Sequence, residues 1–194
     1  QAFGKIPVNV HELGIDICCF SAHKIYGPKG VGALYARRKE PRVNLSALLH
    51  GGGHERGLRS GTLNVPGIVG LGKAIQLIPA TIRKYQEIKQ WRDGIEIELL
   101  NSGKVKLNGS GVSRLPNTSN FSIVGKKADE LITKLPWIAI STGYACTSAI
   151  PEPSHVLKAM GISDKDSFSS LRISLGINTT KEEVINATSD LLTY

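Results

Sequence analysis

The sequence predicts an α/β fold that divides near residue 80, and three observations support this prediction. The first third is rich in glycine and contains short apolar runs bounded by turn residues, which is typical of strands. The middle has apolar residues at helical spacing, and the remainder alternates short strand and helix patterns. We therefore expect residues 1–80 to be the end of an α/β sheet domain and residues 81–194 to be a small α+β domain.

Two strands are predicted in the first piece. The apolar run Gly14–Ala22 (GIDICCFSA) is expected to be a buried strand, with Cys18 and Cys19 as packing residues on its alternate faces. Gly30–Arg37 predicts a second strand, and the intervening HKIYGPKG, punctuated by glycine and proline, predicts a loop.

The middle of the chain predicts two consecutive helices. Val65–Ile78 has helical periodicity, and Pro66 suits a first helical turn. Pro79 is expected to break or kink that helix, because proline lacks the backbone N–H. The second stretch, Thr81–Leu100, continues the 3/4 spacing of apolar residues.

The last part predicts alternating short strands and helices. Strand patterns occur in KVKLNG, TSNFSIVG, WIAIST and LRISLG, and helical patterns in ADELITKL, Ser154–Met160 and Lys181–Leu192. Thr180 and Glu183 match the T-x-x-E capping box, which marks the start of the final helix.

Composition excludes several classes of protein. The 194 residues are 41% hydrophobic and 21% charged, which is ordinary for a globular chain and unlike a disordered or collagen-like one. No run of about 18 apolar residues predicts a membrane span, and the first residues lack the pattern of a secretory signal. The net charge is +8, but the lysines and arginines are scattered, so we expect no nucleic-acid partner. Three cysteines without metal-ligand spacing predict no metal site and a reducing, cytoplasmic compartment.

Lys24 is a candidate nucleophile. It follows a predicted buried strand within a loop rich in glycine and proline, where a desolvated lysine forms Schiff bases with aldehydes. Ser21 and His23 precede it and are suitable hydrogen-bond donors to a phosphate. From spacing alone, a solvated lysine in a turn explains the same pattern.

Four segments together carry a family resemblance. SAHKIYGPKGVGALYARR resembles the pyridoxal-phosphate lysine segment of cysteine desulfurases, fold-type I enzymes that supply sulfur for iron–sulfur clusters. His50–Ala74, Ser141–Gly161 and Ser169–Glu183 are similar to the next signature, the catalytic cysteine loop and the substrate-carboxylate segment of that family. The resemblance implies the C-terminal half of such an enzyme. We therefore expect either a fragment or a chain complemented by a separate N-terminal half.

The resemblance implies cofactor-binding roles for five residues. Lys24 matches the Schiff-base lysine, which also moves protons during the reaction. Ser21 and His23 match ligands of the cofactor phosphate, and Gln1 matches the glutamine that hydrogen-bonds its phenolic oxygen. Thr62 matches a residue that reaches the phosphate in the neighbouring subunit, which implies a homodimer. Plain turn polarity is the alternative explanation for Ser21 and Thr62.

Two further residues match the family's catalytic and substrate groups. Cys146 matches the cysteine that takes sulfur as a persulfide, and its Ser, Thr and Pro neighbours argue against a buried core cysteine. Arg172 matches the arginine that holds the substrate α-carboxylate through paired hydrogen bonds, although a half-exposed strand arginine is the simpler alternative. Ile177 and Asn178 depart from the family's usual Arg-Phe.

The resemblance implies conversion of L-cysteine to L-alanine, with the sulfur passed through Cys146 to an acceptor or iron–sulfur scaffold protein. Selenocysteine lyase is the enzymatic alternative, which Arg114–Ile123 resembles, whereas CTSA around Cys146 favours the desulfurase. A catalytically silent half-chain that dimerises or binds the sulfur acceptor is the alternative of another class.

Overall fold

The computed structural model describes residues 1–142, 144–145 and 152–193. It divides the chain into two compact units, Gln1–Arg83 and Lys84–Tyr194. The boundary falls within a helix, close to the residue 80 at which the sequence changes character.

The first unit is built on a β-hairpin and a helix. Strand β1 (Ile17–Ser21) pairs antiparallel with β2 (Gly32–Ala36), and a 3₁₀ helix, Ala22–Ile25, follows β1 directly. The buried residues of its core are Ala22, Ile25, Leu71 and Ala74, with Phe3, Phe20, Val31, Ala33 and Ile78 packed against them. This core is small, so the hairpin depends on few apolar contacts.

The prediction that β1 is a buried strand is wrong for this chain. Cys18 and Phe20 are half-buried, whereas Ile17 is 50% exposed and Cys19 is exposed, so Cys19 is not a packing residue. The physical reason is that β1 pairs only with β2 in the part of the chain that the structure describes, and only one face meets the core. Side chains alternate between faces, so every second residue of β1 meets solvent.

Helix α1 (Val65–Asn101) is continuous, so the two predicted helices are one, with Pro79 inside. Asn64 begins it, since its carbonyl accepts from the Ile68 N–H at 2.9 Å and its side-chain Oδ1 from the Gly67 N–H at 3.1 Å. Pro79 removes one backbone hydrogen bond, while the Thr81 hydroxyl adds one to the Leu77 carbonyl at 3.1 Å. The helix continues through Pro79 over its full 37 residues.

Helix α1 is also long and apolar enough to cross a membrane, judged by length and composition alone. The core helices of other proteins are also long and apolar enough, so a single helix of this kind is weak evidence of a membrane span. Lys73 lies within its apolar part, where a charge is costly in hydrocarbon. The expectation of no membrane partner stays a prediction.

The second unit combines a sheet with short helices. The elements after α1 are β3 (Val105–Leu107), β4 (Thr118–Ile123), α2 (Ala128–Lys134), β5 (Ser141–Thr142), β6 (Tyr144–Ala145), β7 (Glu152–Pro153), α3 (His155–Ala159), α4 (Asp164–Phe168), β8 (Ser170–Ser174) and α5 (Lys181–Thr193). Among the described residues, one sheet has the antiparallel order β3-β4-β8-β5. The strand predicted over WIAIST forms only in its last two residues, and α4 was not predicted.

One face of this sheet forms the core of the unit. Phe121 and Ile123 of β4 and Leu171 and Ile173 of β8 are buried against apolar residues of the helices. The residues between them point to the opposite face, since successive side chains of a strand alternate. The final helix begins at the predicted capping box: the Thr180 N–H donates to Glu183 Oε2 at 2.8 Å, and the Glu183 N–H donates to Thr180 Oγ1 at 3.2 Å. That prediction is confirmed.

An ion pair between the buried Glu96 and the half-buried Arg114 joins α1 to the segment before β4. Arg114 Nη2 donates to Glu96 Oε2 at 2.6 Å, and Nη1 donates to the other carboxylate oxygen. Burial is the largest single influence and raises the pKa of Glu96, but the hydrogen bonds from Arg114 and Ser119 and the charges of Arg114 and Arg92 together hold it below its ordinary value of 4.5. A carboxyl with a lowered pKa stabilises the fold above its unfolded pKa, and that stability disappears as the pH falls through the folded value.

We expect Glu96→Gln to lower the free energy of unfolding by about 1–3 kcal/mol at pH 7, because it removes the charge that Arg114 pairs with. The parent chain should lose this advantage as the pH falls below 4.5, so the two stability curves should converge in acid. Chemical denaturation at several pH values measures this. The exposed Glu98 on the same helix provides the control variant Glu98→Gln. Parallel curves for the parent and Glu96→Gln would contradict the assignment.

Candidate functional site

Lys24 lies on an anchored turn. The 3₁₀ helix that carries it places Ala22 and Ile25 in the core, while His23 and Lys24 between them are exposed. Residues three apart share one side of a 3₁₀ helix, so burial of the outer pair directs the inner pair outward. This 3₁₀ helix, Ala22–Ile25, is the lysine turn. It presents an imidazole and an amine from a fixed backbone.

The turn closes through a left-handed residue and a close backbone approach. Tyr26 has φ 66°, and the Gly27 N–H donates to the Ala22 carbonyl at 2.9 Å. A Cβ added at Gly27 would lie 3.0 Å from the Ala22 Cβ and 3.2 Å from the Ala74 Cβ, which is tighter than ordinary packing. Glycine at this position allows the chain to turn back against the residue that begins the lysine turn.

Ser21 stands at the junction of β1 and the lysine turn. It is half-buried, has extended backbone geometry and pairs across the hairpin with Gly32. A Cβ added at Gly32 would lie 2.4 Å from the Phe20 carbonyl oxygen, which is closer than real Cβ contacts allow. The close approach of β2 at Gly32 therefore fixes the strand end from which Ser21, His23 and Lys24 project.

Gln1 is joined to the lysine turn through Lys5. The ammonium of Lys5 donates to the Gln1 carbonyl at 3.0 Å and lies 3.5 Å from the Lys24 carbonyl oxygen. The structure thus brings Gln1, Ser21, His23 and Lys24 into one region of the first unit. Sequence reasoning missed Lys5, because a lysine after glycine in a polar turn carries no signal of burial.

Thr62 lies on a separate loop of the same unit and is exposed. That loop is held just before Thr62, where the buried Ser60 donates its N–H to the Leu49 carbonyl at 3.1 Å and its hydroxyl accepts from the Gly53 N–H at 3.3 Å. The hydrogen bonds among the described residues do not join Thr62 to the lysine turn. Its role toward a neighbouring subunit stays a prediction.

Arg172 belongs to the second unit and projects from the sheet face opposite the core. It is exposed, its Nη2 donates to the Ser141 hydroxyl at 3.3 Å, and it pairs across the sheet with Asn120 and Ser141. A guanidinium flanked by short polar side chains keeps donors available to a carboxylate. The position fits the predicted substrate role without testing it.

Sequence reasoning also missed a buried polar network beside Arg172. The side-chain amide nitrogen of Asn108 lies 2.7 Å from Asn120 Oδ1, 3.0 Å from the Ser122 hydroxyl and 3.1 Å from the Ser170 hydroxyl, so its two hydrogens are shared among three acceptors. Ser170 in turn donates to the Asp166 carbonyl at 2.7 Å. The strands TSNFSI and SSLRIS carry the partners Asn120, Ser122 and Ser170, and buried polar groups require partners, but no sequence pattern joined Asn108 to them.

Cys146 lies outside the described residues. The segments on either side of it do pair, with Tyr144 opposite Pro153 and Ala145 opposite Glu152. Cys18 and Cys19 are free thiols in the part of the chain that the structure describes, and the same part contains no cluster of three or more His, Cys, Asp or Glu suited to a metal ion.

The lysine turn fits pyridoxal phosphate by the chemistry of its donors. An amine reacts with an aldehyde, and a hydroxyl and an imidazole are suitable partners for a phosphate. Lys24, Ser21 and His23 supply these groups from adjacent positions on one turn.

The sequence profile of the aminotransferase class-V family matches residues 1–186. The chain therefore belongs to the aminotransferase class-V family.

Two curated relatives are similar to nearly the whole of this chain. The chain is 49% identical over 189 residues to the cysteine desulfurase IscS of Anaeromyxobacter dehalogenans, a match that covers 95% of this chain and 46% of the relative. It is 46% identical over 193 residues to the cysteine desulfurase IscS of Mannheimia succiniciproducens, covering 99% of this chain and 47% of the relative. The chain thus spans about half the length of the curated relatives it matches.

Solved structures agree with the fold. A NifS-like protein from Rickettsia africae superposes with a TM-score of 0.86 at 32% identity, covering 98% of this chain and 50% of its own. The structure of SspA in complex with cysteine has a TM-score of 0.67 at 35% identity, covering 93% of this chain and 49% of its own. The predicted α/β fold of a class-V enzyme is confirmed.

We expect Gly32→Ala to destabilise the first unit by about 1–3 kcal/mol, because the added methyl must push β2 away from Phe20. Gly72 provides the matched control: it lies in α1, and an added Cβ there would meet nothing within 4 Å. Gly72→Ala should therefore stabilise the unit by about 0.5–1 kcal/mol through helix propensity. Thermal unfolding of both variants checks the opposite signs. A neutral Gly32→Ala would show that the hairpin end is not packed as described.

Proposed function

We propose that this chain supplies the lysine, the arginine and the sulfur-accepting cysteine of a cysteine desulfurase. The single observation that carries the proposal is the anchored turn that presents Lys24 beside His23 and Ser21, in a chain whose 45–49% identical relatives are named cysteine desulfurases. L-cysteine is the proposed substrate, and L-alanine and a persulfide on the protein are the proposed products.

Lys24 is proposed to bind the cofactor and to move the proton at the substrate Cα. When bound, pyridoxal phosphate supplies an electron sink that makes the Cα–H bond of an amino acid acidic. Lys24 offers an exposed amine on a turn that Ala22 and Ile25 anchor in the core. His23 and Ser21 are proposed to hold the phosphate, and Gln1 is proposed to contact the ring oxygen.

Arg172 is proposed to bind the α-carboxylate of the substrate. Its exposed guanidinium donates to Ser141 through one nitrogen, and a guanidinium carries further N–H donors. A carboxylate accepts two parallel hydrogen bonds from such a group, which would fix the direction of the Cα–H bond. Support for this substrate class comes from the related SspA, whose structure holds cysteine.

Cys146 is proposed to take the sulfur as a persulfide and to pass it to an acceptor protein. The names of the relatives favour a desulfurase over a selenocysteine lyase. A homodimer in which Thr62 reaches the partner's cofactor, and a reducing cytoplasmic compartment, belong to the same proposal. The silent half-chain is kept as a second proposal, because the chain spans 46% of those relatives and leaves apolar residues of β1, β2 and α1 exposed.

We expect Lys24→Ala to abolish turnover of L-cysteine in a complete enzyme assembled from this chain and the N-terminal half of a family member. The fold should be kept, because the Lys24 side chain is exposed and makes no part of the core. Alanine production measures the effect, and the exposed Lys39 provides the control variant Lys39→Ala. Desulfuration by Lys24→Ala at the parental rate would overturn the assignment.

We expect Cys146→Ser in the same assembly to bind L-cysteine but to accumulate no protein-bound persulfide, because a hydroxyl cannot accept the sulfur atom. Mass spectrometry of peptides after incubation with L-cysteine locates the labile sulfur. Cys19→Ser is the matched control, since Cys19 is an exposed thiol of the first unit. Persulfide found on Cys18 or Cys19 of the parent enzyme, and not on Cys146, would refute the role of Cys146.

A further inference from the structure

We propose that Lys5 is a positioning residue that fixes the lysine turn relative to Gln1. The inference rests on the proposed function, because it concerns the two residues to which that function assigns the cofactor amine and ring contact. Lys5 itself is not assigned any contact with substrate or cofactor.

The first observation is the bridge that the Lys5 ammonium makes. It lies 3.0 Å from the Gln1 carbonyl oxygen and 3.5 Å from the Lys24 carbonyl oxygen. These two carbonyls lie 23 positions apart in the sequence, and a single cationic donor joins them. Hydrogen bonds from charged donors are stronger than those between neutral groups. The bridge therefore restrains the backbone of Lys24 directly.

The second observation is that this charge is buried. Lys5 is 8% exposed, whereas lysines are almost never buried without partners. Burial first, and then the nearby charge of Lys24, hold the pKa of Lys5 below its ordinary value. Placing an ammonium in this position costs free energy, and a surface lysine would avoid that cost. The two carbonyls offset part of it.

The third observation is the packing of the residues around Lys5. The rings of Phe3 and Phe20 have centroids 4.3 Å apart, so the segment before Lys5 packs on the strand that leads into the lysine turn. Gly4 has φ 81°, and a Cβ added there would lie 2.6 Å from Ile25 Cγ2. The segment thus contacts the chain both before and after Lys24, and Lys5 contacts Lys24 itself.

Packing by Phe3 and Gly4 would stabilise the unit whether or not Lys5 has a function. If Lys5 positions Lys24, loss of the ammonium must change the reactivity of Lys24 more than it changes the stability of the fold. The two roles are separable by measuring the reaction of Lys24 with pyridoxal phosphate directly, without turnover.

The experiment uses the 194-residue chain, treated with pyridoxal phosphate and then with borohydride, which fixes the cofactor to the lysine that it reached. Peptide mass spectrometry gives the ratio of label on Lys24 to label on the exposed Lys39. Lys5→Met should lower this ratio about threefold or more, as expected for the loss of a charged hydrogen bond. Lys5→Arg, which keeps a cationic donor, should restore it at least in part.

Lys29→Met is the matched control, because it removes an exposed lysine five residues after Lys24 and should leave the ratio unchanged. Thermal unfolding monitors the fold, and Lys5→Gln replaces Lys5→Met if the latter does not fold. A ratio unchanged in a folded Lys5 variant would overturn the positioning role, as would an equal fall in Lys29→Met. Parental chain without preferential label on Lys24 would instead favour the second proposal, the silent half-chain, while the change caused by Lys5→Met still decides the role of Lys5.

Discussion

The alternation of side chains along β8 determines which way Arg172 faces. Leu171 and Ile173 are buried in the core, so the residue between them must project from the opposite face. A shift of one residue in the pairing with β4 would place the guanidinium in the core and expose both apolar side chains. Each such side chain contributes about 1.5–3 kcal/mol through burial, and the lost solvation of the charge would add to the penalty. The register is therefore fixed by hydrophobic burial, and the arginine takes its orientation from its neighbours.

The burial of neighbouring residues also determines which way Lys24 faces, here with the three-residue repeat of a 3₁₀ helix. Ala22 and Ile25 are three positions apart in a 3₁₀ helix, and both are buried. His23 and Lys24 are therefore presented to solvent by residues that carry no chemistry themselves. In both units the burial of adjacent apolar side chains orients the side chain that is proposed to act in the reaction. Hydrogen bonds restrain it further: Arg172 bonds to Ser141, and Lys5 bonds to the backbone of Lys24.

Local sequence signals predicted those parts of the fold that depend on local physics. Thr180 and Glu183 mark the start of α5, because a capping box is formed by residues three apart. The LRISLG pattern predicts β8, because its apolar residues alternate. Pro79 misled the prediction of α1, since a long helix tolerates one lost hydrogen bond. The exposure of Cys19 was also missed, because an apolar run does not reveal how many strands cover it.

The candidate site also has parts that the sequence predicted and parts that it did not. The motif around Lys24 was recognisable as a continuous segment, and its exposed presentation follows from residues within that segment. Lys5 and Asn108 were invisible to pattern reasoning, because each takes its partners from distant parts of the sequence: Lys5 from residue 24, and Asn108 from residues 120, 122 and 170. Buried polar groups are specified by tertiary contacts, which a sequence pattern cannot show.

The exposed face of the hairpin follows from the same dependence on distant contacts. Ile17 and Leu34 are exposed, and Cys19 pairs with Leu34 on that face, although each belongs to an apolar strand. An isolated two-stranded hairpin is only marginally stable in water. The lysine turn is therefore held largely by the small core that contains Ala22 and Ile25 and by the Lys5 bridge. The chain spans about half the length of its relatives, and among the described residues nothing covers this apolar face. Covering it would stabilise β1 from its second side and make the position of Lys24 less dependent on Lys5. The Lys5 bridge should accordingly matter most where the hairpin is least supported, which is in the chain described here.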